Sequence, residues 1–157
     1  MALRNLRTIG DDILHKKSKP VENFDSKLHQ LLDDMLETMY DADGVGIAAV
    51  QVGVLRRALV MDFSEESDDP IEMINPEIIH IEGEQEGREG CLSVPGKTGS
   101  VVRPLVTVVK AQDRHGKTFE TTLEDRATVI FSHEFDHLNG VLYIDKATDI
   151  RDNDDDD

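Results

Sequence analysis

Residues 133–137 read His-Glu-Phe-Asp-His, and no other stretch limits the folds open to this chain as strongly. On an α-helix, positions i and i+4 share a face, so His133 and His137 can aim both imidazoles at one point with Glu134 beside them. The spacing suits two neutral nitrogen ligands and an adjacent general base. The same residues also fit an ordinary polar helix, and two imidazoles alone do not complete a metal site. A fold that uses them has to bring a third ligand to this helix from elsewhere.

Cys91, in Glu89-Gly90-Cys91-Leu92-Ser93, is the candidate. As the chain's single cysteine it cannot form an internal disulfide, which points to a reducing compartment and leaves the thiol free. A lone buried cysteine is more often inert packing. Here Gly90 frees the backbone before it and Pro95-Gly96 is expected to turn the chain after it, so the thiol sits where an irregular segment can approach a helix. A thiolate and two imidazoles leave one coordination position for water, as catalytic sites require. A metal would hold the thiol deprotonated.

A third stretch, Gly44-Val45-Gly46-Ile47-Ala48-Ala49-Val50-Gln51, is rich in small residues that let backbone approach a ligand, and Gln51 ends it with an amide donor. Taken alone, glycines after a helix are as readily a plain turn.

Around these segments, 157 residues suit one domain with its own core. Residues 24–40 place Phe24, Leu28, Leu31, Leu32, Met35, Leu36 and Met39 at steps of three and four, predicting a helix capped by Asn23 or Asp25. Short β-branched runs follow at 58–62, 71–74, 78–81, 101–102 and 105–110, and Asp113-Arg114-His115-Gly116 predicts a hairpin into 118–121. A second helix is expected to open at Thr121 or Thr122, each followed three residues later by an acid, and to stop at Gly140. The fold class is therefore α+β: mostly antiparallel sheets around a central metal-binding helix, plus one N-terminal helix. The catalytic domain is expected over residues 1–148. Residues 149–157, with six Asp and one Arg, read as an acidic, disordered tail.

The net charge of −16 argues against a DNA-binding surface, which needs clustered Lys and Arg. No run is long enough to span a bilayer, and residues 1–14 lack the apolar block of a signal peptide, so a cytoplasmic protein without a membrane partner is expected.

With the Gly-rich stretch ending in Gln, Glu-Gly-Cys-Leu-Ser and His-Glu-Phe-Asp-His in this order over residues 44–137, the sequence strongly resembles the peptide deformylases. Residues 11–21 also look like that family's opening, and the likeness runs to about residue 145. The resemblance implies one divalent metal bound by Cys91, His133 and His137: ferrous iron as the usual ion, with zinc, nickel or cobalt able to occupy the site. It implies Glu134 as general acid and base, and Gln51 through its side-chain amide and Leu92 through its backbone N–H as oxyanion donors. The backbone at Gly46 would align the peptide, and Val45, Val129 and Ile130 would wall the methionine pocket. The implied reaction removes the N-formyl group from the initiator formyl-methionine of nascent polypeptides and releases formate, in the cytoplasm of a bacterium, or of a host if the chain is phage-encoded. Thr98 stands where many members carry a peptide-binding arginine, and Arg126 where an apolar pocket residue is common. Typical bacterial members continue into a C-terminal helix used in docking to the ribosome; here an acidic stretch stands instead, so any ribosome contact is expected to be transient. A zinc peptidase shares the two His and the Glu but takes its third ligand from a downstream His or Glu rather than an upstream Cys. A noncatalytic metal-binding module would have no use for Glu134 beside an open position.

Overall fold

The computed structural model describes residues 2–152. The predicted first helix is α1, Ser26–Asp41, and its cap is Asp25, whose side chain accepts the Leu28 N–H at 3.1 Å. Its apolar stripe buries Leu32, Met35 and Met39 completely. Each such side chain contributes roughly 1.5–3 kcal/mol through removal from water.

A five-stranded antiparallel sheet has the order β1-β2-β3-β6-β7, built from β1 (Gly46–Ala48), β2 (Ala58–Met61), β3 (Ile71–Glu82), β6 (Val106–Gln112) and β7 (Thr118–Glu124). Alternation along its strands divides the core in two. Ile47, Ala58, Val60 and Ile74 face α1, whereas Ala48, Leu59, Met61, Met73, Val109, Ala111 and Leu123 face the second helix, α2 (Arg126–Leu138). β2 is covered on both faces, so all four of its residues are buried. A second antiparallel sheet, of order β4-β5-β8, contains β4 (Gln85–Cys91), β5 (Val94–Arg103) and β8 (Thr148–Asp152). Beneath it Leu14, Val94, Val101, Leu142 and Tyr143 form a third cluster, and the Tyr143 ring stacks on His133 of α2 at 5.8 Å. α2 thus lies between the two sheets, as the α+β expectation of a central helix requires.

Several boundaries differ from the sequence reading. The runs at 71–74 and 78–81 are one strand, β3. Asn75 takes a φ of 52°, the register with β6 shifts between Ile74 and Glu77 and again between Ile78 and His80, and Pro76 occupies the first irregularity instead of ending the strand. The Asn75 carboxamide fixes this bulge by accepting the Val21 N–H and donating to Val21 O and Gln112 Oε1. The second helix opens at Arg126, not at Thr121 or Thr122. Residues 118–124 pair with β6 throughout, which buries Leu123, and Asp125 at φ 52° then breaks the strand without a side-chain cap. The expected turn at Pro95-Gly96 falls instead at Leu92-Ser93, and 101–102 is the end of the ten-residue β5. Gly140, expected to stop α2, has a φ of 76°, and a Cβ there would sit 2.6 Å from His15 O.

The stretch read as a disordered tail begins as strand. Residues 148–152 pair with β5, where Arg88 and Arg151 neutralise Asp149 and Lys97 neutralises Asp152. The acidic composition hid these cations because two of them, Arg88 and Lys97, sit on other strands. Residues 153–157 of the expected tail lie outside the described residues.

Candidate metal centre and cleft

Cys91 ends β4, and His133 and His137 lie one helical turn apart on α2. The two elements meet so that the Cys91 sulfur and one nitrogen of each imidazole lie within 4.8 Å of one another. Cys91 Sγ is 3.3 Å from His137 Nε2, and the Ser93 N–H points at the sulfur from 3.4 Å. His133 and His137 are buried, while Cys91 is partly open to the cleft.

Glu89, two residues before Cys91 on β4, holds this cluster from behind. Its Oε1 accepts from His133 Nδ1 at 2.9 Å, leaving Nε2 for the ligand cluster, and Arg103 donates to both carboxylate oxygens at 2.8 Å. Arg103 also donates to Asp136 at 2.7 Å, tying β5 to α2. Burial pushes the Glu89 carboxyl up, but Arg103 and then His133 outweigh it and bring it down to about 2. Burial and the charge on His133 lower His137 to about 3, so its imidazole is neutral as a ligand must be. Burial also opposes charge on His133, but Glu134, Cys91 and Glu89 outweigh it and hold that imidazole well above its usual range.

Glu134 is buried, and its Oε1 has no hydrogen-bond partner among the described residues. Such a group is costly unless something completes its environment. Burial raises its carboxyl to about 7, with His133 opposing. Gly46 of β1 makes room for it: a Cβ at that position would lie 2.7 Å from Glu134 Oε2 and 2.9 Å from Ile130 Cγ2. Gln51 lies in a short 3₁₀ turn after β1, where its Oε1 accepts the Ala48 N–H at 2.9 Å. That bond fixes the amide's orientation and directs Nε2 at Ser93 Oγ (3.1 Å) and Cys91 Sγ (3.7 Å).

These residues border a cleft of about 490 Å³ between the Gly-rich segment, the β4–β5 turn and α2. Val45, Gly46, Gln51, Cys91, Leu92, Val129, Ile130, His133 and Glu134 all line it, and His137 completes the ligand cluster below. A larger hollow of about 740 Å³ lies near Lys19, Val21 and Leu28 and contains none of these residues. Every residue singled out in the sequence converges on one place. Glu89, Arg103 and Asp136 were not assigned roles. Glu89 had a signal, because it stands two residues before Cys91 and residues i and i+2 of a strand share a face. Arg103 had none, because only the pairing of β4 with β5 brings it near.

The donor set fits a single divalent cation: one sulfur and two imidazole nitrogens converge, beside a buried carboxyl whose Oε1 has no partner among the described residues. The fold and this centre define a metal-dependent hydrolase of the α+β class. Residues 3–153 match the sequence model for polypeptide deformylase. The peptide deformylase of Lachnoclostridium phytofermentans is 57% identical over 147 residues, covering 94% of this chain and 90% of the relative. That of Caldicellulosiruptor bescii is 55% identical, covering 94% and 87%. Among solved structures, a peptide deformylase from Legionella pneumophila superposes with a TM-score of 0.90 at 46% identity, covering 94% of this chain and 87% of that one. One from Thermotoga maritima gives 0.89 at 44% identity, covering 93% and 98%. The chain belongs to the peptide deformylase family.

Proposed function

We propose that the chain hydrolyses the N-formyl group of formyl-methionine at the start of nascent polypeptides, with Cys91, His133 and His137 holding the metal and Glu134 moving the proton. The observation that carries this reading is the buried Glu134 carboxylate with an unpartnered oxygen beside three converging ligand atoms.

Cys91, His133 and His137 would hold a divalent cation, which would supply Lewis acidity, lowering the pKa of water from about 15.7 to near 7. Glu134, raised to about 7, takes a proton from the attacking water and returns it to the amine nitrogen as the C–N bond breaks, giving formate and a free N-terminus. Gln51 Nε2 and the Leu92 N–H stabilise the negative charge that grows on the formyl oxygen. One such donor contributes roughly 3–4 kcal/mol. The backbone at Gly46 aligns the peptide, and Val45, Val129 and Ile130 receive the methionine side chain on the cleft wall. A formyl carbon carries only hydrogen, so a close-fitting site admits it and excludes larger acyl groups.

The ion is proposed to be ferrous iron, with zinc, nickel and cobalt as substitutes, since sulfur and imidazole suit all of them. The reaction belongs in the cytoplasm, where nascent chains emerge, with a transient contact to the ribosome; the net charge of −16 disfavours DNA. No helix among the described residues is long and apolar enough to cross a membrane. The test is formate release from formyl-Met-Ala-Ser by anaerobically purified protein, with metal analysis of the same sample. Stoichiometric metal and no formate would refute the proposal.

A further inference from the structure

Arg126 opens α2 seven residues before His133, on the face that carries Val129, Ile130 and His133 at helical spacing. It borders the cleft and also an adjoining hollow of about 230 Å³, which shares Arg88, Glu89 and Val129 with the cleft as common walls. The other cations around these two spaces are committed. Arg88 pairs with Asp149, Lys97 with Asp152, and Arg103 with Glu89 and Asp136. Arg126 is exposed, and among the described residues it makes no hydrogen bond or ion pair. Asp43, in the loop before β1, also borders the cleft and makes no ion pair with Arg126. In a chain of net charge −16, Arg126 is thus a cation at the cleft with no counter-charge paired to it among the described residues.

Its position selects what it meets. A rise of 1.5 Å per residue puts the Arg126 backbone about 10 Å along the axis from His133. An extended peptide advances roughly 3.3–3.6 Å per residue. With the formyl group at the metal centre and the methionine against Val129 and Ile130, that distance falls opposite the residues after methionine. Building on the deformylase reading, we propose that Arg126 is a specificity-determining residue that pairs with a carboxylate on the second or third residue of the formylated peptide. The adjoining hollow gives such a side chain room beside the guanidinium, and Gly87 on its wall leaves that space open, with nothing within 4 Å of where a Cβ would stand. Acidic N-terminal segments are then the favoured substrates.

The experiment compares kcat/KM for formate release from formyl-Met-Ala-Ser, formyl-Met-Glu-Ser, formyl-Met-Ala-Glu and the corresponding lysine peptides. At low salt the wild-type enzyme should favour an acidic over a neutral peptide by roughly two- to fivefold, the scale of one exposed ion pair, and disfavour the lysine peptides. Arg126→Gln should bring the acidic-to-neutral ratio to one, Arg126→Glu should invert it, and Arg126→Lys should retain it. Salt near 1 M, where the screening length is about 3 Å, should flatten the wild-type ratio. Equal rates on all peptides, or an unchanged ratio in Arg126→Gln, would overturn the inference and leave deformylation standing. No formate from any peptide, the neutral one included, would sink both.

Discussion

Glu89 Oε1 accepts a hydrogen bond from His133 Nδ1 at 2.9 Å while Arg103 grips both oxygens of the same carboxylate. Strand β4 therefore supplies a ligand in Cys91 and the group that orients a second ligand on α2. Glu89→Gln should weaken metal binding by about 10- to 100-fold, the usual cost of losing a partner behind a metal-bound histidine. Competition against a chelator measures it, and unchanged affinity would show that His133 is held by other contacts.

Arg103→Met should destabilise the fold more than it alters chemistry. It leaves Glu89 buried without its counter-charge, and breaking a buried pair from one side costs about 3–5 kcal/mol. Denaturant unfolding of the metal-loaded protein reports the loss. A change below 1 kcal/mol would mean that water replaces the guanidinium.

Glu134→Gln should keep the metal and lose nearly all formate release, because the amide preserves shape but cannot accept the water's proton. Near-normal turnover in this variant would remove Glu134 from the proposed mechanism.

Gly46→Ala tests the same carboxylate by crowding. The added methyl group would lie 2.7 Å from Glu134 Oε2 and 2.9 Å from Ile130 Cγ2, so both side chains have to give way. A displacement near 1 Å at a catalytic group costs on the order of 100-fold in rate. Formate release should fall on that scale with metal content retained; loss of both together would indicate a folding defect instead.

Acid should weaken the fold through Asp34 and Asp62 as well as through the metal site. Burial pushes the Asp34 carboxyl up, but the Ala2 N–H, the Gln30 amide and the Arg4 guanidinium outweigh it and hold it below its usual range. Burial likewise acts against Asp62, where Ser64, Tyr40 and the Asp69 N–H prevail. Each carboxyl titrates lower folded than unfolded, so its stabilisation is complete above the unfolded value near 3.9 and fades as pH falls through the folded value. Unfolding followed from pH 7 to 3 should show stability dropping below about pH 4, and Asp34→Asn should be less stable at pH 7 with a shallower acid slope. An identical slope in that variant would clear Asp34 of the effect.

Much of the site was legible because its chemistry is written in residue types at fixed local offsets. The pentapeptide at 133–137 needs only the 3.6-residue period to put its two imidazoles together. The apolar stripe of α1 needs no more than that. Residues 118–124 show where local reading fails: the capping-box spacing after Thr121 and Thr122 was real, yet pairing of every residue with β6 and burial of Leu123 outweighed it. Residues 148–152 failed for a related reason, since the lysine and one of the two arginines that neutralise them come from β4 and β5.

By itself the sequence determined the α+β class, the helix that carries His133 and His137, and the three segments whose side chains make the centre, because those follow from local periodicity and from the chemistry of Cys, His, Glu and Gln. Only the tertiary structure decided that Arg103 locks Glu89 behind His133, that Gly46 makes room for Glu134, and that Arg126 borders the cleft with no ion pair among the described residues. Those relationships depend on strand register and on the packing of α2 between two sheets. Both are set by contacts between residues far apart in the chain, for which no spacing along the sequence stands proxy.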